Sequence, residues 1–180
     1  MEEKDLMWEE ISSRELLKTP VFTVTERLSR NSSGLEGKYI VNNCRDWVIV
    51  IAEHDDNFLM VKQWRHGEKA LSIEFPGGVI DDGETPDEAA ARELKEETGC
   101  TAEKLICLGS MNPNPALFSN HVHIYFAQGL SFSGKQDLDD DEFLNYFELP
   151  KKEVLKKLGS REYPHALMAS AATLYFAYKM

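Results

Sequence analysis

Cysteine is scarce: three residues of 180, at positions 44, 100 and 107. The number is odd and the spacing matches no C-x-x-C metal or redox pattern, so free, mostly buried thiols are expected rather than a disulfide framework or a zinc knuckle. Basic charge is short as well. With 20 Lys and Arg against 31 Asp and Glu, and a formal net charge of -11, the chain offers no basic surface to a nucleic-acid backbone or an anionic lipid. Long apolar runs are missing too. The longest towards the C-terminus, residues 166–178, falls well below the roughly 20 residues that a membrane span requires. The opening MEEKDLMWEE is acidic and amphipathic, the reverse of a secretory signal with its basic n-region and apolar h-region. Neither nucleic acid nor membrane is therefore an expected partner, and the expected setting is cytoplasmic. Internal repeats are absent, and low complexity is confined to the short acidic run at 139–142.

What is present suits one core. A length of 180 residues with 42% hydrophobic content predicts a single domain over 1–180, with residues 1–43 as an N-terminal arm and strands and 44–180 as the core. Residues 5–18 have helix-forming composition but a weak apolar stripe, and Pro20 stops any helix there; we read them as an arm. Residues 21–30 and 36–43 read as strands joined by the polar turn NSSG, hence a hairpin. Strands are also predicted at 46–53, 58–64 and 71–75, the last running into Pro76-Gly77-Gly78. Further strands follow at 104–111, 121–127 and 143–149, separated by a two-proline loop at 112–120 and an acid-rich loop at 132–142. Helices at 151–158 and 164–178 close the chain.

The stretch 78–100, GVIDDGETPDEAAARELKEETGC, organises the rest. Thr85, Pro86 and Glu88 read as N-cap, N1 and N3 of a helix with capping-box spacing, and Gly99 supplies the stop. Between them Glu93, Glu96 and Glu97 stand at i, i+3 and i+4, so their carboxylates share one face, while Ala90, Ala91 and Leu94 give a neighbouring face something to bury. Like charges so placed repel by roughly 0.2 to 0.5 kcal/mol per pair on an exposed helix. A counter-charge is called for, and a hard divalent cation with oxygen ligands is the natural one.

Gly78, Glu84, Arg92, Glu93, Leu94, Glu96, Glu97 and Gly99 match the Nudix box, G-x5-E-x7-R-E-U-x-E-E-x-G-U, and the chain resembles that hydrolase family. Cys100 takes the final aliphatic position, where it can act as a small hydrophobe. The resemblance implies an α/β fold, a mixed β-sheet sandwiched between α-helices. Gln63-Trp64-Arg65, Glu74-Phe75-Pro76-Gly77-Gly78 and the acidic residues 139–142 are similar to features of the branch that cleaves ADP-ribose and related nucleoside diphosphate sugars. Trp64 stands where that branch has Tyr, Phe75 where it has Leu, and Gly77 where it has Ala. The loop NPNPALFSN, with Pro115 followed by Ala116, resembles its substrate-selecting loop.

The resemblance implies magnesium as cofactor, with manganese as the alternative. Glu93 and Glu97 would be the principal ligands, Glu96 a further one and the Gly77 carbonyl another. It also implies a homodimer whose interface and nucleoside pocket draw on residues 21–43. Hydrolysis of a pyrophosphate needs its charge neutralised, a water oriented in line and an acceptor for the water's proton. Glu142 is the best match to the family's loop glutamate and the expected base, with Glu96 as the alternative. Arg92 is expected to orient carboxylates by pairing at i, i+4 with Glu88 and Glu96. Glu84 has two readings, loop organisation and metal contact. Arg65 suits bidentate contact with a phosphate or with a partner carboxylate. Trp47 and Trp64 are read either as stacking on a base or as core. His121 and His123 share a strand face at i, i+2 and are read as ordinary strand histidines rather than metal ligands. The expected reaction splits ADP-ribose into AMP and ribose 5-phosphate. A different sugar nucleotide or a dinucleotide is the alternative substrate, and a non-catalytic nucleotide-binding regulator is the reading from another class. The intact set of three glutamates argues against that regulator.

Overall fold

The run DWVIVIAE carries apolar residues at successive positions, as a strand does when both of its faces are covered. The computed structural model describes residues 2–132, 134–140 and 142–180, and in it this run, strand β4 (Trp47–His54), is buried on both faces. Along the chain it follows β1 (Trp8–Lys18), β2 (Phe22–Asn31) and β3 (Glu36–Cys44). After it come β5 (Asn57–Arg65), β6 (Ala70–Glu74), helix α1 (Pro86–Thr98), β7 (Cys100–Met111), β8 (Val122–Phe132) and β9 (Leu144–Pro150). Helices α2 (Lys151–Lys157) and α3 (Ala166–Lys179) complete it. The structure divides into two compact units, residues 46–111 with 122–180, and residues 1–45 with 112–121.

The first of these units is built on a six-stranded sheet of order β6-β5-β4-β8-β7, with β9 paired to β5. It is mixed: β4 and β8 run parallel, and the other pairs are antiparallel. Strand alternation divides the core between two faces. Val48, Val50, Ala52, Leu59, Tyr125 and Ala127 meet Ala89, Ala90 and Leu94 of α1. On the opposite face Ile49, Ile51, Phe58, Met60, Ile124 and Phe126 meet Val154 of α2 and Met168, Ala171 and Tyr175 of α3. The sheet between helices is the α/β arrangement expected.

Helix α1 begins as its sequence dictates. The Thr85 hydroxyl accepts from the Glu88 N–H at 3.3 Å, the Glu88 carboxylate accepts from the Thr85 N–H at 2.8 Å, and Pro86 follows the cap. It ends at Gly99, in the left-handed region at φ 70°, whose N–H returns to the Lys95 carbonyl. Leu94 is the one large apolar side chain it buries, worth about 2 kcal/mol. The cap adds about 1 kcal/mol.

Within the other unit, β1, β2 and β3 form an antiparallel sheet. Residues 5–18 therefore differ from the helical character of their composition. A short 3-10 turn at Glu3–Leu6 is followed by the strand β1. A short helix with a weak apolar stripe is marginal in water, whereas pairing with β2 satisfies its backbone along most of its length. Irregularities in that pairing fall between Glu10 and Ser12 and between Glu15 and Leu17. The hairpin turn is held by the Asn31 side chain, which accepts from the N–H groups of Ser33 and Leu35. The loop 112–121 joins this unit through Asn42, whose N–H donates to the Leu117 carbonyl at 2.7 Å and whose carbonyl accepts from the Ser119 N–H. Cys100 is buried, Cys44 half-buried and Cys107 exposed, all three as free thiols.

Thr85→Ala is expected to lower the unfolding free energy by about 1 kcal/mol through loss of the cap. Urea denaturation checks this, and an unchanged midpoint would remove the capping box from the account of α1.

Candidate active site

Strand β6 ends at the buried Glu74, and the chain then crosses beside β4. The Pro76 carbonyl accepts from the Val50 N–H at 2.8 Å and the Gly78 carbonyl from the Val48 N–H at 2.9 Å. Gly77 has φ 153°, and a Cβ there would overlap the Val48 carbonyl oxygen. At Gly78 a Cβ would fall onto the Glu93 carboxylate. Gly77 thus lets the chain lie close against β4, and Gly78 leaves room for a carboxyl group that any side chain would displace.

Glu93 fills that room, and it and Glu97 have 6% and 2% of their surface exposed. The Gly77 N–H donates to Glu97 Oε2 at 2.8 Å. Burial raises Glu97 to about 8 despite this bond, with the charges of Glu93 and Glu142 adding to the rise. Burial likewise raises Glu93 to about 7, against the pull of Arg92. Both carboxyls thus hold their protons to a higher pH than an ordinary carboxyl, as burial without a compensating cation requires.

Arg92 is the organiser of the exposed side. Its Nε and Nη2 hold both oxygens of Glu84 at 2.9 and 3.0 Å, and Nη2 also donates to the Val79 carbonyl. Nη1 donates to Glu93 and to Glu96, each at 2.9 Å. The expected pairing with Glu96 is present. The expected pairing with Glu88 is not, because that carboxylate is taken by the Thr85 N–H and hydroxyl. Glu84 also accepts from the Asp81 N–H and lies below its usual value chiefly through Arg92, so in this structure it organises the loop.

Arg65 and Glu74 sit on neighbouring antiparallel strands, and their register puts them on the α1 face of the sheet with Val61 and Gln63. Arg65 Nε and Nη2 donate to the two Glu74 oxygens at 2.9 and 2.6 Å. Burial works to raise Glu74, yet the Arg65 fork prevails and holds it below the usual carboxylate value. Nη1 of Arg65 takes no part in the fork, and the guanidinium feels the charges of Glu97 and Glu142. Sequence reasoning gave Glu74 no role. The register signal was available, since Glu74 and Arg65 close the two ends of one predicted strand pair. Two residues of α3 and its cap were missed without any local signal: Met168, whose sulfur accepts from the Phe75 N–H at 3.0 Å, and His165, close enough to Glu74 and Arg65 for their charges to act on it.

The structure thus brings together Gly77, Arg92, Glu93, Glu96, Glu97 and Arg65, with the Glu142 charge acting on Glu93, Glu97 and Arg65. It does not bring Trp47 or Trp64 to them. Trp47 packs beside the core on the α3 side of the sheet. Trp64, half-exposed, points to the face opposite Arg65 because neighbours on a strand alternate. Pro115 lies in the unit formed by residues 1–45 and 112–121. His123 pairs with Asp46 at 3.2 Å. Asp141 of the acidic loop lies outside the described residues. The donor set of Glu93, Glu97, Glu96 and backbone oxygen suits a hard cation. Among the described residues no three His, Cys, Asp or Glu side chains are already gathered as a ligand cage, and Arg92 occupies oxygens of Glu93 and Glu96. A cation would therefore have to draw those carboxylates from Arg92.

The family profile described as NUDIX domain matches residues 43–168. An ADP-ribose pyrophosphatase of Bacillus subtilis is 38% identical over 126 residues, 69% of this chain and 68% of that protein. The methanol dehydrogenase activator of Bacillus methanolicus is 31% identical over 161 residues, 89% of this chain and 85% of that one. A crystal structure of an ADP compounds hydrolase superposes with a TM-score of 0.84 at 26% identity, covering 95% of this chain and 93% of the other. Divalent cations are the general cofactors of this family.

The buried pair makes stability pH-dependent. Between the ordinary carboxyl value of 4.5 and about 7 to 8, the folded protein holds protons that the unfolded chain has released, so stability in a chelator falls as pH rises through that window. Glu53, Glu74 and Glu84, all lowered, act below 4.5, and His165, depressed by burial, acts in the opposite sense below 6.5. The melting temperature in EDTA is expected to be lower by about 5 °C at pH 8 than at pH 5.5. Glu97→Gln should reduce that slope and melt above wild type at pH 8 in EDTA, while a divalent cation should stabilise only the wild type. An unaltered slope in the variant would remove the pair as its source.

Proposed function

The chain belongs to the Nudix family of pyrophosphohydrolases, and from that premise we propose that it hydrolyses ADP-ribose to AMP and ribose 5-phosphate. The observation that carries the reading is the pair of buried carboxyls, Glu93 and Glu97, seated against Gly77 and Gly78 on the face that also presents Arg65. Relatives whose names specify ADP-ribose or ADP compounds support the substrate class. A wider range of ADP-linked compounds, dinucleotides included, is the alternative, favoured by the likeness to an ADP compounds hydrolase.

In this proposal Glu93, Glu97 and Glu96, with the Gly77 carbonyl, would hold magnesium or, alternatively, manganese, which would supply positive charge to the pyrophosphate and a more acidic water. The remaining work falls to the chain. Arg65, fixed by its fork on Glu74, directs its third nitrogen to a phosphate oxygen. Arg92, released from Glu93 and Glu96, keeps its two bonds to Glu84 and so retains the loop at the start of α1. Glu142 accepts the proton of the attacking water, whose oxygen bonds to one phosphorus as the P–O bond to the bridging oxygen breaks. The bridging oxygen leaves on the other phosphate. Glu96 is the alternative base. Pro115 and its loop choose the nucleoside. Trp47 and Trp64, on the other face of the sheet, are given no base in this chain's own site.

We read residues 1–180 as one catalytic domain that pairs with a second copy through residues 1–43. The exposed apolar side chains Trp8, Ile11, Leu16, Leu17 and Ile40 of the three-stranded sheet support that pairing. Leu17→Glu is then expected to turn a dimer into a monomer in sedimentation, and a monomeric wild type would refute the pairing.

For the reaction, wild type and Glu97→Gln are incubated with magnesium and a panel of nucleoside diphosphate derivatives. Wild type is expected to release AMP from ADP-ribose, and the variant to lose at least about 100-fold in turnover, since even partners of metal ligands cost 10 to 100-fold. No monophosphate from any member would overturn the enzymatic reading. Release from another member alone would overturn only the substrate.

A further inference from the structure

The end of α1 leaves orphan carbonyls, as every helix does, and those of Glu96 and Glu97 belong to residues whose side chains serve the site. They are satisfied from outside the helix. The Asp137 N–H donates to the Glu96 carbonyl at 2.9 Å, and Gln136 Nε2 donates to the Glu97 carbonyl at 2.7 Å. One residue beyond the helix the same segment makes a third contact: the Gly134 N–H donates to the Gly99 carbonyl at 3.1 Å. The fit is close at that point, because a Cβ on Gly99 would stand 2.7 Å from the Gly134 carbonyl oxygen and one on Gly134 would stand 3.0 Å from the Gly99 oxygen. Segment 134–137 is thus strapped across the C-terminal turn of the helix by two backbone bonds, one side-chain bond and a glycine-on-glycine contact. Gln136 is the only side chain among those three bonds.

The strap leads directly to the loop that carries Glu142. Two residues past Asp137, the Asp139 carbonyl accepts from the Glu142 N–H at 3.0 Å, so the position of the strap sets where that turn begins. The charge of Glu142 in turn acts on Glu93, Glu97 and Arg65. The helix and the segment leading to Glu142 are therefore tied at the backbone of Glu96 and Glu97 themselves.

We propose that Gln136 is a positioning residue for hydrolysis, registering the loop that bears Glu142 against the helix that bears Glu96 and Glu97. Its kinetic half rests on the reading of Glu142 as the base. Its structural half stands on the hydrogen bonds alone. The Gln136 side chain is half-buried on the surface of the helix turn, so its truncation removes one donor without opening the core.

Two measurements on the full chain test the proposal. Hydrogen exchange follows residues 134–142 in wild type and Gln136→Ala. The Asp137 amide and its neighbours are expected to exchange at least about tenfold faster in the variant, with α1 unchanged up to Leu94; equal exchange would overturn the strap. Kinetics then use a double-mutant cycle with Glu142→Gln on whichever panel substrate the wild type cleaves. Gln136→Ala is expected to lower kcat about tenfold with KM changed less than twofold, and to have no further effect in the Glu142→Gln background. Gln136→Glu, which sets a carboxylate against the Glu97 carbonyl, should behave alike. Equal losses in both backgrounds would assign Gln136 a merely structural role and overturn its coupling to Glu142. Absence of turnover on every substrate would overturn the catalytic reading and the coupling together, leaving the exchange experiment to decide the strap.

Discussion

The bond from the Gly77 N–H to the Glu97 carboxylate is the contact around which the larger unit is arranged. It places a carboxyl group where water scarcely reaches, an expense that one neutral donor does not fully offset. The position of the Gly77 and Gly78 backbone, the alanine-rich face of α1 and the reach of Arg92 all follow from keeping two such groups in place. The residual cost is visible in the raised titration of Glu93 and Glu97. In physical terms the fold holds a deficit of positive charge, and a cation is what relieves it.

The architecture meets that demand with ordinary means. Alanines at positions 89 and 90, both buried, let α1 lie close to β4, which brings its glutamates down to the glycine pair. Arg92 then joins the helix to the loop preceding it through Glu84 and the Val79 carbonyl. On the neighbouring strands Arg65 is held by Glu74, a buried partner that fixes the plane of the guanidinium. Positioning of this kind reduces what must be ordered at the moment of binding.

Much of this was legible because the relevant signals are local. The cap, the stop and the shared face of Glu93, Glu96 and Glu97 are all properties of the one short stretch 85–99, and helix geometry converts them into positions directly. Strand ends were less legible: β7 and β8 extend beyond the predicted 104–111 and 121–127 because each continues as long as the other offers backbone partners. Residues 5–18, read as an arm, form a strand for the same reason, since β2 offers them backbone partners. Contacts set by register or by distant loops escaped altogether. The Arg65 fork reaches along the sheet to Glu74, which pairs with Val61 and not with Arg65, and Glu88 was lost to Arg92 because a nearer donor, Thr85, claimed it. The opposite orientation of Trp64 and Arg65 was, by contrast, available from strand alternation alone.

The parallel pairing of β4 with β8, from Trp47↔Val122 to Ala52↔Ala127, also bears on how the protein comes into being. Helix α1 rests partly on Tyr125 and Ala127 of β8, yet it precedes β8 in the chain. On the ribosome the glutamates are therefore made before the strand that supports them, and the long-range closure they await is the slow kind. Until β8 emerges and inserts between β4 and β7, the acidic helix has only half of its seat, so the nascent chain reaches residue 132 before its chemistry has a place to stand.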